Sequence, residues 1–536
     1  MHEGLCDGGG NAVRVYLAHD EGNEWDRGEP TRTMNTIPSA FRGLRLPASG
    51  QRTNTVLWIA FVALGLILSL VLIERPSLAM PVVPIATVAL LAFLKFDWFM
   101  VAWVFLVPLQ QAYPRTSVAI WCSLPVILVI RDVARRRSSF LKLLKHPILR
   151  AGFLYLAMVS VSMVLHPPLS IHGLNALVKV LTSICACLAI VYWADREDRL
   201  RAACSAFLAS LILVAAVGIY QVVLGDLGDF YYGLFPRAAP WAREPSFMTW
   251  SGRAVSVLDS AGGLAGYVNL IIPLGLAYGL AGSTYTMRWV GSVTLFLGAA
   301  TLFFTFSRGA FLGLGVMLLF GAFLWRKRSS LSLKIQAGIA GIGTIAVMAP
   351  YISERVLTML PEERFARLEL FRAAWQMFLS SPVVGLGYGN FTAIYYKVTS
   401  GPLASEGWNA HNLFLQHLAE TGALGFVAYL ILLGTGLLHA YRLMRQTGGY
   451  RVIVGLWALL ALAGTIPHDF VNCLLTYCLP FSTTFWIILA CVIVAGRLQV
   501  SHAAASSGPA MLSSASRPAS PVEMQGRQAR GRIVQH

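Results

Sequence analysis

The chain has 536 residues, of which 56% are hydrophobic and only 12% are charged. A soluble domain carries about 25% charged residues, so this chain has too few polar side chains to cover a water-soluble fold. A net charge of +17 would suggest a nucleic-acid partner in a soluble protein, but positive loops between membrane spans produce the same excess. The composition therefore excludes a soluble protein, and we expect no nucleic-acid partner.

Apolar runs of transmembrane length, about 17 to 25 residues, recur along most of the chain. The clearest runs are Val56 to Ile73, Leu174 to Ala194, Ala202 to Leu224, Trp289 to Phe306, Gly309 to Trp325, Leu424 to Tyr441 and Leu479 to Ala495. Shorter or proline-interrupted runs are Met80 to Leu94, Trp98 to Tyr113, Ser117 to Ile130, Ala151 to Leu165, Gly263 to Leu280, Ile335 to Tyr351 and Val452 to Pro467. The pattern predicts an all-α, polytopic transmembrane helical bundle of about 14 spans, or about 12 if the short early runs pair differently.

The basic residues concentrate in four loops that are separated by even numbers of predicted spans. These loops carry Arg131, Arg135, Arg136, Arg137, Lys142 and Lys145; Arg196, Arg199 and Arg201; Arg326, Lys327, Arg328 and Lys334; and Arg442, Arg445 and Arg451. One side of the membrane therefore collects all of them, and lysine and arginine are enriched on the cytoplasmic side. We expect a multi-pass protein of the bacterial inner membrane, surrounded by its lipids, with both termini in the cytoplasm.

The apolar and polar segments predict five regions. They are a disordered cytoplasmic tail at 1–54, a transmembrane region at 55–352 with an external loop at 225–259, a helical periplasmic loop domain at 353–423, C-terminal spans at 424–497, and a disordered cytoplasmic tail at 498–536. The tails have too few apolar residues to bury, and the first has no apolar segment of the kind that a signal peptide needs. Met1 and Met34 are both candidate starts.

The loop domain has nearly balanced charge and is predicted to form a helix, a glycine-rich turn and a second helix. Its first helix carries an aromatic group and an arginine-containing group at helical spacing: Phe371, Trp375, Phe378 and Leu379, and Arg364, Leu368 and Arg372. This pattern predicts a helix that lies on the outer leaflet, near the lipid headgroups.

The eight cysteines show no metal-ligand spacing. Cys473 and Cys478 lie near the external end of the last predicted hairpin, where an oxidising periplasm would permit a disulfide. A spacing of five residues within a helix instead points the two side chains apart, so both states remain open. We expect neither a metal nor another cofactor.

Two segments of the loop domain combine glycine and polar residues in an ordered set. Residues 381–391 read S-P-V-V-G-L-G-Y-G-N-F, and residues 409–422 read N-A-H-N-L-F-L-Q-H-L-A-E-T-G. Together with the Ser-Arg-Gly triplet at 307–309, they resemble the O-antigen ligase and O-antigen polymerase superfamily of lipid-linked glycan transferases. That superfamily also has an arginine before an earlier span, here Arg253, although the Pro-Asn turn that commonly follows it is missing from this chain.

The resemblance implies a donor glycan on undecaprenyl diphosphate and an acceptor hydroxyl on a lipid A core or another glycan. It implies that His411 is the general base and that Arg308 and Arg253 hold the departing diphosphate. The other candidate substrate-binding residues are Arg367, Arg372, Asn412 and Asn390. We expect the transfer to be independent of metal ions.

The chemistry of Arg308 suits this role. It interrupts an otherwise apolar stretch from Trp289 to Trp325, and an arginine near hydrocarbon is costly and therefore a functional candidate. A planar guanidinium binds a diphosphate in bidentate fashion and balances its charge. The alternative is an arginine that only snorkels to the interface.

His411 stands at the start of a predicted helix with the polar stripe Asn412, Gln416 and Glu420. The positive end of the helix dipole favours the neutral imidazole that a general base needs. Glu420 is nine residues further on, about 13 Å along a helix, so it is too far away to orient His411 and is expected to be structural. The alternative for His411 is a structural histidine whose hydrogen bonds are satisfied within the loop.

Three other polar residues require an interpretation. His417 projects from another face of the same helix and is expected to be structural. His468 and Asp469, at the external end of a predicted span, are a candidate second polar site.

Several functions remain open on sequence alone. Acceptor choice depends on loop shape, so ligation of a finished chain, polymerisation of repeats and transfer to a protein are alternatives within one class. A transporter of small anions such as bicarbonate is the rival from another class, although the spans contain few of the carboxylates that line ion paths. A scaffold for other glycan-assembly proteins has no specific support.

The predicted topology can be tested with a reporter that is active only outside the cytoplasm. A fusion after Ser400 should be active, because this residue belongs to the predicted periplasmic domain. Fusions after Ser330 and at Ser516 should be inactive, because a basic loop and the C-terminal tail are predicted to be cytoplasmic. The reversed pattern would contradict the assignment of sides.

Overall fold

The structure, a computed structural model, describes residues 96–111, 118, 121–122, 143–166, 170–224, 253–258, 260–325, 361–398, 409–446 and 449–506. Side chains are described for the same residues except 224, 361–366, 396–398 and 499–506. Within these ranges the chain is helical and contains no β-strand, which confirms the predicted all-α class.

The described part of the chain forms thirteen α-helices. They are α1 Phe96–Phe105, α2 Pro147–Leu165, α3 Ile171–Trp193, α4 Glu197–Leu224, α5 Ala261–Ala281, α6 Tyr285–Thr305, α7 Arg308–Trp325, α8 Pro361–Ser380, α9 Phe391–Val398, α10 Leu413–Met444, α11 Tyr450–Asp469, α12 Leu474–Tyr477 and α13 Leu479–Ser506. Nine of these, α2 to α7, α10, α11 and α13, are long and apolar enough to cross a membrane.

The nine spans correspond to the nine predicted apolar runs that the structure describes in full. The predicted run Trp98 to Tyr113 instead gives only the ten-residue α1 and a short 3-10 helix, Val107–Gln111. Pro108 explains the interruption, because proline has no N–H group to donate to the Val104 carbonyl and its ring clashes with that carbonyl in an α-helix. The predicted runs at Val56, Met80 and Ile335, and most of the run at Ser117, lie outside the described residues, so the total number of spans stays a prediction.

Several spans begin at a residue whose side chain caps the helix. The Ser170, Ser260, Thr284 and Asn412 side chains accept hydrogen bonds from the N–H groups of Gly173, Gly263, Met287 and Leu415. Such caps satisfy N–H groups that have no partner within the helix. They explain why these spans begin where short polar residues precede an apolar run.

Helices α5, α11 and α13 form the centre of the bundle, since most of each lies buried against other helices. Glycines permit the closest approaches. A Cβ atom at Gly313 of α7 would lie only 2.7 Å from the Gly464 carbonyl oxygen of α11, and one at Gly291 of α6 would lie 2.6 Å from the Gly279 nitrogen of α5. Small residues at such crossings allow tight packing of membrane helices.

Antiparallel packing of consecutive spans divides the bundle into two ends. At the first, the arginine-rich end, the guanidinium of Arg201 lies 5.1 Å from the ring centre of Tyr450, and the hydroxyls of Tyr450 and Tyr278 lie 2.5 Å apart. The described members of the predicted basic loops lie here: Lys145, Arg196, Arg199, Arg201, Arg442, Arg445 and Arg451. The opposite end, the loop end, contains the starts of α3, α5, α7, α10 and α13.

Two predicted boundaries differ from those in the structure. Helix α10 begins at Leu413, within the predicted loop domain, and contains a sharp break at Gly422 before the predicted span. Helix α13 continues to Ser506, past the predicted end of the spans at 497.

Candidate active site at the loop end of the bundle

The site is built around an interruption of α10 at Gly422. This residue has φ 63° and ψ −169°, a backbone conformation that is essentially restricted to glycine. In an uninterrupted helix the N–H groups of Ala423 and Leu424 would donate to the carbonyls of Ala419 and Glu420. The break therefore removes the helical partners of two donors and two acceptors.

The glycine-rich turn supplies a new partner to each of these four groups. Ala423 N–H donates to the Pro382 carbonyl at 2.8 Å and Leu424 N–H to the Val383 carbonyl at 3.1 Å, while Leu386 N–H donates to the Ala419 carbonyl at 3.0 Å and Gly387 N–H to the Glu420 carbonyl at 2.9 Å. Each of the four backbone groups thus exchanges its helical partner for one partner in the turn. This exchange satisfies backbone groups that would otherwise be costly to bury.

Glycine is required where the turn and the broken helix meet. A Cβ atom at Gly385 would collide with the backbone of Glu420, and one at Gly422 would collide with the backbone of Val383. Both residues also have φ values in the left-handed range. Gly385 and Gly422 therefore serve this backbone-to-backbone contact.

Asn390 fastens the same turn to the start of α3. Its side-chain oxygen accepts a hydrogen bond from the Ser170 hydroxyl, and its amide nitrogen lies 3.3 Å from the Leu386 carbonyl oxygen. Ser170 also caps α3 through Gly173 N–H at 2.9 Å. The contacts of Asn390 hold the turn in place; its predicted role in substrate binding is not tested by them and stays a prediction.

His411 lies in a short loop whose backbone N–H groups are paired with side chains. Ala410 N–H donates to Gln416 Oε1 at 3.2 Å, and His411 N–H donates to Asn409 Oδ1 at 2.9 Å. Asn412, the other predicted substrate-binding amide, caps α10 through Leu415 N–H at 3.0 Å. The helix thus starts directly after His411, as the sequence predicts.

The imidazole of His411 is kept neutral. Burial, and then the positive charge of Arg367, lower its pKa from the ordinary 6.5 to about 4. The direction agrees with the prediction, but burial rather than the helix dipole is the main cause. The structure also brings Arg367, a predicted substrate-binding residue, into the electrostatic neighbourhood of His411.

Arg253 and Arg308 lie on the two sides of one corner. The Arg253 Nε–H group donates to the Thr305 carbonyl at 2.8 Å, and the Ala254 N–H group donates to the Phe304 carbonyl at 2.8 Å. Thr305 is the last residue of α6, and Arg308 is the first residue of α7. The predicted Ser-Arg-Gly junction between two spans is therefore confirmed, and Arg253 is tied to it.

Three non-glycine residues in the described part of the chain have left-handed φ values: Ser256 at 53°, Phe306 at 49° and His411 at 48°. Each is a candidate catalytic residue or lies within three positions of one. Such conformations cost about 1 to 3 kcal/mol each and cluster at functional sites, where the surrounding structure enforces them. The strain therefore coincides with the predicted catalytic residues.

The segment that follows α11 connects Arg308 with His411. The Val471 and Asn472 side chains pack against Gly309, next to Arg308. The Cys473 thiol lies beside the backbone of His411 and Asn412, and its burial raises its pKa. The arginine corner and the histidine loop thus contact the same three-residue segment.

The first helix of the loop domain, α8, packs on α10 through a face that contains Leu370, Ala373, Ala374 and Met377. Arg372 is exposed on a different face, apart from the buried site. Leu368, Trp375 and Leu379 are also exposed. Contact of this exposed surface with lipid headgroups stays a prediction.

The other polar residues that the sequence singles out are buried. The His417 ring nitrogen Nε2 lies 3.0 Å from the Tyr155 hydroxyl, which supports its structural interpretation. His468 packs between Gly266 and Gly309, whereas Asp469 accepts a hydrogen bond from Tyr429 at 3.3 Å. His468 and Asp469 therefore face different helices and do not form one polar site.

Two further observations concern sulfur and metal chemistry. Cys473 and Cys478 are free thiols in the structure. No group of three histidine, cysteine, aspartate or glutamate side chains that could hold a metal ion occurs among the described residues. Metal independence of the reaction stays a prediction.

Sequence reasoning missed the part that Gln416 and Tyr477 play in the site. The Gln416 amide nitrogen donates to Glu420 Oε1 at 3.0 Å and to the Tyr477 hydroxyl, while its oxygen binds Ala410 N–H. The i, i+4 spacing of Gln416 and Glu420 in a polar stripe was the available signal. No sequence signal pointed to Tyr477, because only the packing of α12 brings its hydroxyl next to Gln416.

The fold and the site define a polytopic helical membrane protein with arginines and a neutral histidine gathered at one end of its bundle. Residues 293–430, about a quarter of the chain, match the family model described as O-antigen ligase. These residues are therefore similar to O-antigen ligases, which confirms the resemblance and supports glycan transfer of the O-antigen ligase type. No match to a curated protein was found. Arg308, Arg367 and His411 fall within the matched residues, and Arg253 precedes them.

Substitution of Gly422 tests the contact between the turn and the broken helix. Gly422→Ala should lower the melting temperature of the purified protein in detergent or prevent its accumulation, because a strained φ alone costs about 1 to 3 kcal/mol and the methyl group collides with Val383. Gly434→Ala is the matched control in α10, since a Cβ atom there meets nothing within 4 Å. Equal stability of the two variants would contradict this account of the turn.

Proposed function

We propose that the protein is an inner-membrane glycosyltransferase that moves a glycan from undecaprenyl diphosphate to a sugar hydroxyl, as an O-antigen ligase or a polysaccharide polymerase. His411 acts as the general base, and Arg308 and Arg253 hold the departing diphosphate. The observation that carries the proposal is the gathering of these three residues at the loop end, each at or beside a left-handed backbone position.

In the proposed step, the neutral imidazole of His411 takes the proton of the acceptor hydroxyl as its oxygen attacks the anomeric carbon of the donor. The new glycosidic bond forms while the bond from that carbon to the diphosphate oxygen breaks. The diphosphate leaves with the electron pair, and His411 later returns its proton to water. General base catalysis of this kind contributes about 10² to 10⁴ in rate.

The charge of the donor complements the arginines. Arg308 is the first residue of α7, so a phosphate held there would meet the guanidinium and also the positive end of a helix. Arg253 approaches the same corner from the preceding segment. Two fixed positive groups would stabilise the charge that develops on the leaving diphosphate, which is often the largest catalytic contribution.

Donor binding is expected to adjust the basicity of His411. A pKa of about 4 makes the imidazole neutral but only weakly basic in the free protein. A bound diphosphate carries negative charge, which favours the protonated form of a nearby histidine and raises its pKa. The donor would thus bring His411 towards the working pH, where a general base is most effective.

The orientation in the membrane follows from the two ends of the bundle. The arginine-rich end collects the described residues of the basic loops, so the positive-inside rule assigns it to the cytoplasm. The loop end, with the site, then faces the periplasm. A lipid-linked donor and an acceptor such as a lipid A core or another glycan would meet there, beside the membrane surface.

The comparison that matched the chain gives no support to the transporter alternative. Ligation and polymerisation differ only in the acceptor, so the same three residues would serve either reaction. The proposed chemistry needs no gradient, whereas a carrier works only across a sealed membrane. This difference allows a direct test.

Purified protein in detergent, given undecaprenyl-diphosphate glycan, a matching acceptor and a chelator, should form the transfer product. His411→Ala should lower kcat by about 10² to 10⁴, and Arg308→Lys by on the order of 10², because one ammonium cannot replace the bidentate guanidinium. The matched control for His411→Ala is His172→Ala, because His172 is an exposed histidine at the same end of the bundle. The matched control for Arg308→Lys is Arg288→Lys at the other end. Anion uptake into sealed vesicles, without transfer from several matched donors, would overturn the proposal.

The pH dependence of kcat/KM reports the state of His411 in the free protein. Because its pKa is lowered to about 4, the base form persists on acidification through pH 6.5, and the acid limb should lie near pH 4. Arg367→Gln removes one cause of the shift and should move that limb upwards, while Arg288→Gln should not. An acid limb at pH 6.5 in the wild-type protein would contradict the buried environment of His411.

A further inference from the structure

Gln416 is fully buried in the first turns of α10, and its amide group has three hydrogen-bond partners. Its oxygen accepts from Ala410 N–H at 3.2 Å, and its nitrogen donates to Glu420 Oε1 at 3.0 Å and to the Tyr477 hydroxyl. The backbone N–H group can only donate and the carboxylate oxygen accepts. The amide therefore has only one orientation that satisfies both Ala410 and Glu420.

These contacts surround a strained residue. His411 has a left-handed φ of 48°, which persists only where neighbouring contacts impose it. The Gln416 side chain accepts a hydrogen bond from the N–H group of Ala410, the residue before His411. The Asn409 side chain accepts from the N–H group of His411 itself, and Asn412 caps the helix that follows. Of these three side chains, only that of Gln416 reaches the loop from within α10 and links it to the rest of the site.

We propose that Gln416 is a positioning residue for His411, acting through the backbone of Ala410, and that Glu420 orients the Gln416 amide. The inference rests on the proposed role of His411 as the general base. It changes the interpretation of Glu420, which is expected from the sequence to be only structural, because two hydrogen bonds link it to the Ala410 N–H group next to His411.

Glu420 also couples this arrangement to the glycine-rich turn. Its Oε1 atom accepts from Phe391 N–H at 3.0 Å, and its backbone carbonyl accepts from Gly387 N–H at 2.9 Å and from the Ser162 hydroxyl at 2.5 Å. A glutamine at position 420 would still present an oxygen to both Phe391 N–H and the Gln416 amide. Glu420→Gln is therefore a conservative variant that should preserve the arrangement, and Glu420→Ala should not.

If Gln416 were merely structural, its side chain would contribute packing volume and its hydrogen bonds would not affect His411. Gln416→Met keeps the length of the side chain and removes all three hydrogen bonds, so it separates packing from positioning. Ser210→Ala is the matched control, because Ser210 forms a buried hydrogen bond with Tyr267 at 2.6 Å between α4 and α5, apart from the His411 loop. Melting temperatures in detergent compare the general destabilisation of the two variants.

The test measures kcat, KM for the undecaprenyl-diphosphate donor, and the His411 pKa from NMR of the full-length protein with ¹³C-labelled histidine. His411→Asn identifies the His411 signal. Gln416→Met and Glu420→Ala should lower kcat by about 10²-fold, the usual effect of a small misplacement of a catalytic group, with KM within about twofold. The His411 pKa should rise towards 6.5 as the ring gains access to water. Glu420→Gln and Ser210→Ala should leave kcat and the pKa near their wild-type values.

Two results would overturn the inference. One is a Gln416→Met variant with wild-type kcat and His411 pKa. The other is a loss of kcat in which the His411 pKa stays unchanged and Ser210→Ala shows the same loss. Transfer by His411→Ala would instead contradict the proposed function, and the NMR measurement would still show whether Gln416 positions His411, because it does not depend on transfer.

Discussion

The interruption of α10 at Gly422, with the four backbone hydrogen bonds that compensate for it, is the constraint on which the site depends. A broken helix at the end of a membrane span leaves donors and acceptors that water cannot easily reach, and each unsatisfied group costs about 1 to 3 kcal/mol. The glycine-rich turn satisfies all four groups. Because this pairing fixes both segments at once, it also determines where Glu420 and the start of α10 lie.

The polar residues of the site have two different roles. Amide and hydroxyl side chains, those of Ser170, Asn390, Asn412 and Gln416, hold the turn and the histidine loop through hydrogen bonds to the backbone. The charged and titratable residues supply the proposed chemistry. Preorganisation of this kind matters because catalytic groups lose much of their effect when they are displaced by about 1 Å.

In the proposed reaction, electrostatics would connect the donor to the base. Burial and then the positive charge of Arg367 lower the pKa of His411 and keep it neutral in the free protein, and the negative diphosphate of the proposed donor would reverse part of that effect. The same arginine would therefore prevent early protonation of the base and attract an anionic lipid carrier. In the proposed reaction, this coupling would favour an order in which the donor binds before the acceptor is deprotonated.

The amino-acid sequence by itself determined the membrane class, the nine described spans and the identity of the candidate catalytic residues, because apolar length and short motifs are local properties. Only the tertiary structure decided how those residues are held. Asn390 and Ser170 are 220 positions apart in the chain, Arg253 and Thr305 are 52 apart, and Gln416 and Tyr477 are 61 apart. The partner of an interrupted backbone or a buried amide depends on which segment packs beside it, and no local pattern contains that information.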